Sequence, residues 1–126
     1  MMQATHPITI VDMEAGLEHL SRGTARHVDT LLVILEPYYK ALETGRQAAQ
    51  FARELGVQRI YAVANKIRDD SDAVAIRDFA ATHGLSIAGE IPLDDRIRKG
   101  DLAGVAPIDV VDSPAVAAIQ SLANMF

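Results

Sequence analysis

Thr30-Leu31-Leu32-Val33-Ile34-Leu35-Glu36-Pro37 is the stretch on which the fold turns. Its apolar residues run together without the alternation of a half-exposed strand. Such a run suits a parallel strand covered on both faces, stopped here by Glu36-Pro37. Downstream the period changes: Leu42, Gly45, Ala48, Ala49, Ala52 and Leu55 share one side of a helix from Tyr39 to Leu55. Gly56 closes that helix at the usual C-terminal position. Arg59 to Ala64 then predicts a second buried strand. Asp70, Ser71 and Asp72 offer N-cap groups to a helix through Val74, Ile76, Phe79 and Ala80, which ends before Gly84.

Ser86 to Ile91 predicts another strand, closed by Pro92, and a short helix follows from Asp94 to about Gly100. Ile108 to Val111 suits a loop or a weak edge strand. Ser113 at an N-cap and Pro114 at the first helical position open a last helix, through Val116 and Ile119 to Leu122. Upstream of the opening stretch, Ile8-Thr9-Ile10-Val11 predicts a strand ending at Asp12, and Leu17 to Leu20 a short helix closed near Gly23. Strand and helix alternate, so the expected fold is α/β, with right-handed crossovers and a mostly parallel sheet of four to five strands flanked by helices. Residues 1–126 are expected to form one such domain.

Composition narrows the function. Hydrophobic residues make up 49% of the 126, aromatics only 5%, so the core is built from Ala, Val, Ile and Leu. No apolar run approaches the roughly 20 residues that span a bilayer. Met1 to Pro7 lacks the basic start and apolar core of a signal peptide, which leaves a cytoplasmic address as the expectation. There is no Cys, hence no thiolate metal site. A formal charge of -5, with Arg96, Arg98 and Lys99 the only basic cluster, argues against nucleic acid as a partner. His6, His19, His27 and His83 lack metal-ligand spacing, so no metal site is expected. Asp69, Asp70 and Asp72 suit a solvated helix cap better than a Ca²⁺ loop.

In parallel sheets ligands bind beyond the carboxyl ends of the strands. That rule selects Asp12, Asn65-Lys66 and Pro92-Leu93-Asp94, all on one edge. Asp12 can hold a water in the shell of Mg²⁺, and Gly16 lets the backbone turn close to a phosphate; alternatively Asp12 caps the helix after its strand. The Asn65 carboxamide can pair with the edge of a purine, and the Lys66 stem can lie across a flat ring; alternatively Asn65 sits in a left-handed turn beside a solvated Lys66. Pro92-Leu93-Asp94 can wall the same base pocket, or form an ordinary strand exit with Asp94 or Asp95 as a helix cap.

The order of these motifs is specific. Val11-Asp12-Met13-Glu14-Ala15-Gly16-Leu17-Glu18-His19-Leu20-Ser21-Arg22-Gly23-Thr24 closely resembles the Walker B and switch II region of CooC-type ATPases, within the MinD/ParA/nitrogenase-iron-protein group. The resemblance continues through Leu35-Glu36-Pro37, Leu42-Glu43-Thr44, Ala64-Asn65-Lys66 and Gly89-Glu90-Ile91-Pro92-Leu93-Asp94, and covers Thr9 to about Asp109. It implies the C-terminal half of a P-loop ATPase that works as a nucleotide-sandwiching dimer in nickel insertion or protein partitioning. By the same resemblance Asp12 is the switch II acid near Mg²⁺. Asn65 contacts adenine, and Pro92 to Asp94 line the base. Gly16, Glu18 and His19 belong to the switch that senses phosphate and faces the partner subunit.

Two departures qualify this. A phosphate loop needs Gly-x-x-x-x-Gly-Lys-[Ser/Thr], and none of Lys40, Lys66 and Lys99 has that setting. The closely spaced metal-binding cysteines expected in CooC-type proteins are absent as well. The expectation is therefore a binding or assembly module without ATPase activity of its own, or one half of an ATPase that takes ATP or ADP with Mg²⁺ only when a phosphate loop is supplied. The strand that carries that loop in the parent fold lies beside the one ending at Asp12. Its absence exposes a strand edge, which favours self-association or a phosphate-loop-bearing partner chain. A receiver-like domain phosphorylated on Asp fits worse, because Asp12 lacks an acidic neighbour and the phosphoacceptor position offers only Glu36.

Overall fold

The computed structural model describes residues 8–13 and 21–126. Its sheet has three strands, all parallel and in sequence order: β1 (Thr30–Leu35), β2 (Arg59–Ile67) and β3 (Ser86–Pro92). Between them run α2 (Tyr39–Glu54) and α3 (Asp70–Thr82), and after β3 come α4 (Asp95–Leu102), a 3-10 turn (Pro107–Asp109) and α5 (Pro114–Ala123). A four-residue helix, α1 (Arg22–Ala25), precedes β1, capped by Ser21. Ile108 to Val111 thus belongs to a turn and loop, not an edge strand.

The sheet is smaller than the four to five strands expected. Ile8 to Val11, expected as a strand, pairs with neither edge, and Ile8, Ile10 and Val11 are exposed. A strand exists only through the ladder of its neighbour, so a β-branched run without one gains no backbone hydrogen bonds and buries nothing.

The core follows from the register. Val33 pairs with Ala62 and Leu35 with Ala64. Those four side chains share one face, where Ala49 of α2 and Ile76 and Ala80 of α3 close over them. Small residues on β2 let both helices come close. At Gly45 an added Cβ would collide with the Leu35 side chain, so α2 crosses β1 at a separation that a larger residue would allow only if Leu35 shifted. On the opposite face α5 packs against β3, with Leu122 over Gly89, where a Cβ would stand 3.3 Å from Leu122 Cδ1. Phe126 meets the Tyr61 ring edge-on at 5.7 Å.

That second face is covered unevenly. Val63 has no exposed surface, but Ile34 of β1 is 52% exposed, so β1 is not the strand buried on both faces that its composition suggested. On that side of β1 Leu32 is half-buried and Ile34 stands exposed.

Truncating Ile76 to Ala should lower unfolding stability by about 2–5 kcal/mol, because the cavity lies in a closed core. Ile34→Thr should cost less than about 1 kcal/mol. Urea denaturation of the two variants checks this, and an Ile34 loss as large as that of Ile76 would mean the face is covered.

Candidate functional site

The carboxyl ends of the strands are where backbone and side chains depart from regularity. β2 does not stop at Ala64; it continues to Ile67, with a register shift against β3 between Ala64 and Ile67. Asn65 and Lys66 form this bulge, and Lys66 takes the left-handed conformation at φ 57°. Left-handed backbone costs a non-glycine residue roughly 1–2 kcal/mol, and bulges of this kind redirect side chains at sheet ends. The pairing resumes beyond it, where Leu93 N donates to Ile67 O at 2.8 Å. The bulge of β2 and the Pro92-Leu93 exit of β3 are thereby held side by side.

The polar groups there differ in how far they are already engaged. The Lys66 ammonium lies 2.9 Å from Glu36 Oε1, at the exit of β1, and this partner raises its pKa above the ordinary lysine value. Lys66 is therefore not merely solvated, and it is Lys66, not Asn65, that occupies the left-handed position. Asn65 is half-buried, and among the described residues its carboxamide has no hydrogen-bond partner. Leu93 is exposed.

Asp94 is fully committed. Its Oδ1 accepts from Arg96 N at 3.0 Å as the N-cap of α4, and its Oδ2 accepts from Ser113 Oγ and from Ala115 N at the start of α5. The Ser113 hydroxyl, then the two amides, hold its carboxyl below the usual range. Asp94 thus caps α4 at the exit of β3 and also holds the start of α5.

The acidic run at α3 also differs from the expected solvated cap. Asp69 is the N-cap and accepts from Asp72 N at 3.0 Å. Asp72 is buried and takes Arg68 twice, at 2.9 Å from Nε and 3.1 Å from Nη2, besides accepting from Arg68 N. A carboxylate can be buried there because every lone pair that leaves water finds a charged or backbone donor.

Asp12 lies in the unpaired segment 8–13, exposed and without a hydrogen bond or ion pair among the described residues. Gly16, Glu18 and His19 fall outside the described residues. The structure thus brings Asn65, Lys66, Pro92, Leu93 and Asp94 together and leaves Asp12 apart from any packed setting. Glu36 is the group that reading the sequence missed as part of this site. The strand-end rule applied to β1 selects it, because Glu36 follows Leu35 at the carboxyl end of that strand.

Among the described residues no group of three or more His, Asp or Glu is placed to hold a metal ion, and no helix is long and apolar enough to cross a membrane. A depression of about 120 Å³ lies elsewhere, between α2 and the end of α3, lined in part by Arg46, Arg53 and His83. Its arginines are already engaged, Arg46 by Glu43 and Arg53 by Gly84 O.

Parallel strands in sequence order, helices on both faces and polar residues gathered at the strand exits define an open α/β domain of the nucleotide-binding type of architecture. Solved structures agree: MinD cell division protein from Aquifex aeolicus superposes with a TM-score of 0.72 at 18% identity, over 87% of this chain and 48% of that one. The chain belongs to the CooC/MinD-like P-loop ATPases. It is 41% identical over 106 residues to the carbon monoxide dehydrogenase accessory protein CooC of Rhodospirillum rubrum, and 34% identical over 118 residues to an uncharacterised ATP-binding protein of Methanocaldococcus jannaschii. These matches cover 84% and 93% of this chain but 39% and 45% of the relatives, so the chain spans less than half their length. No protein-family model matches it.

The lowered carboxyls of Asp72 and Asp94 contribute to the pH response, alongside those of Glu43, Asp69, Glu90 and Asp95. A depressed folded pKa stabilises the native state in full above the unfolded value of about 4, and that contribution disappears as pH falls through the folded value. Asp94→Ala should melt several degrees lower at pH 7, and the gap to the parent chain should close as the pH falls below about 4. Thermal melts across pH check both.

Proposed function

We propose that this chain supplies the base-recognition and switch side of a Mg²⁺-ATP site and serves as a binding or assembly module without ATPase activity of its own. The observation that carries the reading is Asn65. It is a half-buried carboxamide left without a partner among the described residues, raised on a bulge at the carboxyl end of the central strand. A carboxamide offers one acceptor and two donors, the set that matches the edge of a purine. Pro92 and Leu93 stand next to it, tied through Ile67, as an apolar wall. Asp12 is the residue for a Mg²⁺-bound water, with Gly16, Glu18 and His19 as the switch.

Magnitudes argue against catalysis by these 126 residues alone. Hydrogen bonds to a base contribute about 0.5–1.5 kcal/mol each. Two or three together give about 1–4.5 kcal/mol, at best the roughly 4 kcal/mol of a millimolar complex. The amides and lysine of a phosphate loop supply most of the hold in this class of site, and no such motif occurs in the sequence.

One observation favours a second reading, in which the chain is half of a dimeric ATPase for metallocentre insertion or protein partitioning. Among the described residues the outer edge of β1 is unpaired, Ile34 on its second face is exposed, and Ile8 to Val11 has no strand beside it. A strand from another polypeptide, or from a second copy, would satisfy the backbone groups of β1 and cover Ile34.

The purified chain should show no ATP turnover above background and should not saturate with ATP at millimolar concentration by calorimetry. Turnover by the chain alone would overturn the first reading. Under the second, adding a polypeptide that carries the phosphate loop restores nucleotide binding together with turnover; under the first, turnover stays at background.

A further inference from the structure

We propose that Glu36 is a positioning residue: through Lys66 it holds the bulge at the end of β2 in the conformation that presents Asn65 at the strand exits. This rests on the reading of Asn65 as a base contact. The residue pattern of β2 itself requires the bulge. Ala62 and Ala64 belong to the core beneath α2 and α3, and Ile67 packs against the same cluster. In a regular strand every second residue shares a face, so position 66 would follow Ala64 inward and Ile67 would turn out. A lysine there would carry its charge into an apolar core. The bulge exchanges the two. Between the pairs Ala64–Glu90 and Ile67–Pro92, β2 carries Asn65 and Lys66 where β3 carries Ile91 alone. The extra residue returns Ile67 to the core and releases Lys66 from it.

That release has a backbone cost, because Lys66 sits at φ 57°. Glycine, asparagine and aspartate enter this region readily; lysine does not. What the structure supplies instead is an ion pair. The Lys66 ammonium lies 2.9 Å from Glu36 Oε1, across the β1–β2 boundary at the exit of β1. On its other side the bulge is tied to β3, where Leu93 N donates to Ile67 O at 2.8 Å. Asn65 stands between these two ties, so the direction of its carboxamide follows from both. The ion pair is partly exposed and screened, so it adds little to the stability of the fold. It is nevertheless of the same order as the strain at Lys66, which lets it decide between conformations of the bulge. Without Glu36 those conformations come near balance, and the fraction that presents Asn65 falls toward one half.

The test compares Glu36→Gln and the charge-swapped double variant Glu36→Lys/Lys66→Glu with the parent chain by NMR. Amide hydrogen exchange at Leu93 reports on the bulge, and exchange at Val63 on the body of the sheet. Glu36→Gln should speed exchange at Leu93 about two- to threefold and leave Val63 unchanged, and the double variant should return Leu93 to the parent rate. With adenosine at millimolar concentration, the side-chain amide shift of Asn65 should lose about a third of its initial slope in Glu36→Gln and regain it in the double variant. An ion pair that serves only the local fold would change the exchange at Leu93 and not the adenosine slope, and that result overturns the positioning role. Unchanged exchange in Glu36→Gln, or a double variant that restores neither quantity, overturns it as well and leaves Asn65 as a base contact. No response of Asn65 to adenosine in the parent chain overturns the base-contact reading and this proposal together.

Discussion

The central strand is the constraint on which everything else hangs. Ala62, Val63 and Ala64 have no exposed surface, so β2 must be roofed on both sides while pairing with both neighbours. That is feasible only with small or β-branched side chains, because α2 and α3 share one face and α5 needs the other. Helices that close over so small a strand need small residues at their own contacts, which Ala49 and Ala80 supply. The bulge at Asn65-Lys66 comes where this roofing ends and the strand is free to bend.

The covering is lopsided across the sheet. At β3 the Leu122–Gly89 contact and the Tyr61–Phe126 pair bring α5 and the C-terminal residues down onto the strand. At β1 the face toward α2 is the better packed, and the apolar run Thr30–Leu35 ends with alternating burial at Val33, Ile34 and Leu35. The run's composition is that of a strand buried on both sides, and its setting gives it one. The same half-finished edge leaves Ile8 to Val11 with nothing to pair against.

What could be read from the sequence was local chemistry. Gly56 and Gly84 end α2 and α3 with positive φ, and Ser113-Pro114 starts α5, because caps depend on residues within a turn of one another. The strand exits at Asn65 and Pro92 followed from the parallel topology. What could not be read were the long-range partnerships. Lys66 reaches Glu36 across the β1–β2 boundary, and Asp94 meets a serine from the far side of a helix and a loop. Burial of Asp72 depends on Arg68 folding back over it, and its spacing alone suited an open cap equally well. Whether Ile8 to Val11 is a strand depends on a neighbour, which no property of those four residues encodes.

Asp94 carries a consequence for how this surface tolerates change. One oxygen caps the helix that follows β3, and the other holds the first turn of α5, so a single carboxylate satisfies two geometries at once. Glutamate would keep the charge but displace it by a methylene, out of reach of one helix or the other. Asparagine would keep the shape but turn one acceptor into a donor. A partly exposed aspartate in a loop thus has the mutational tolerance of a core position, and its sensitivity arises from hydrogen-bond direction instead of volume.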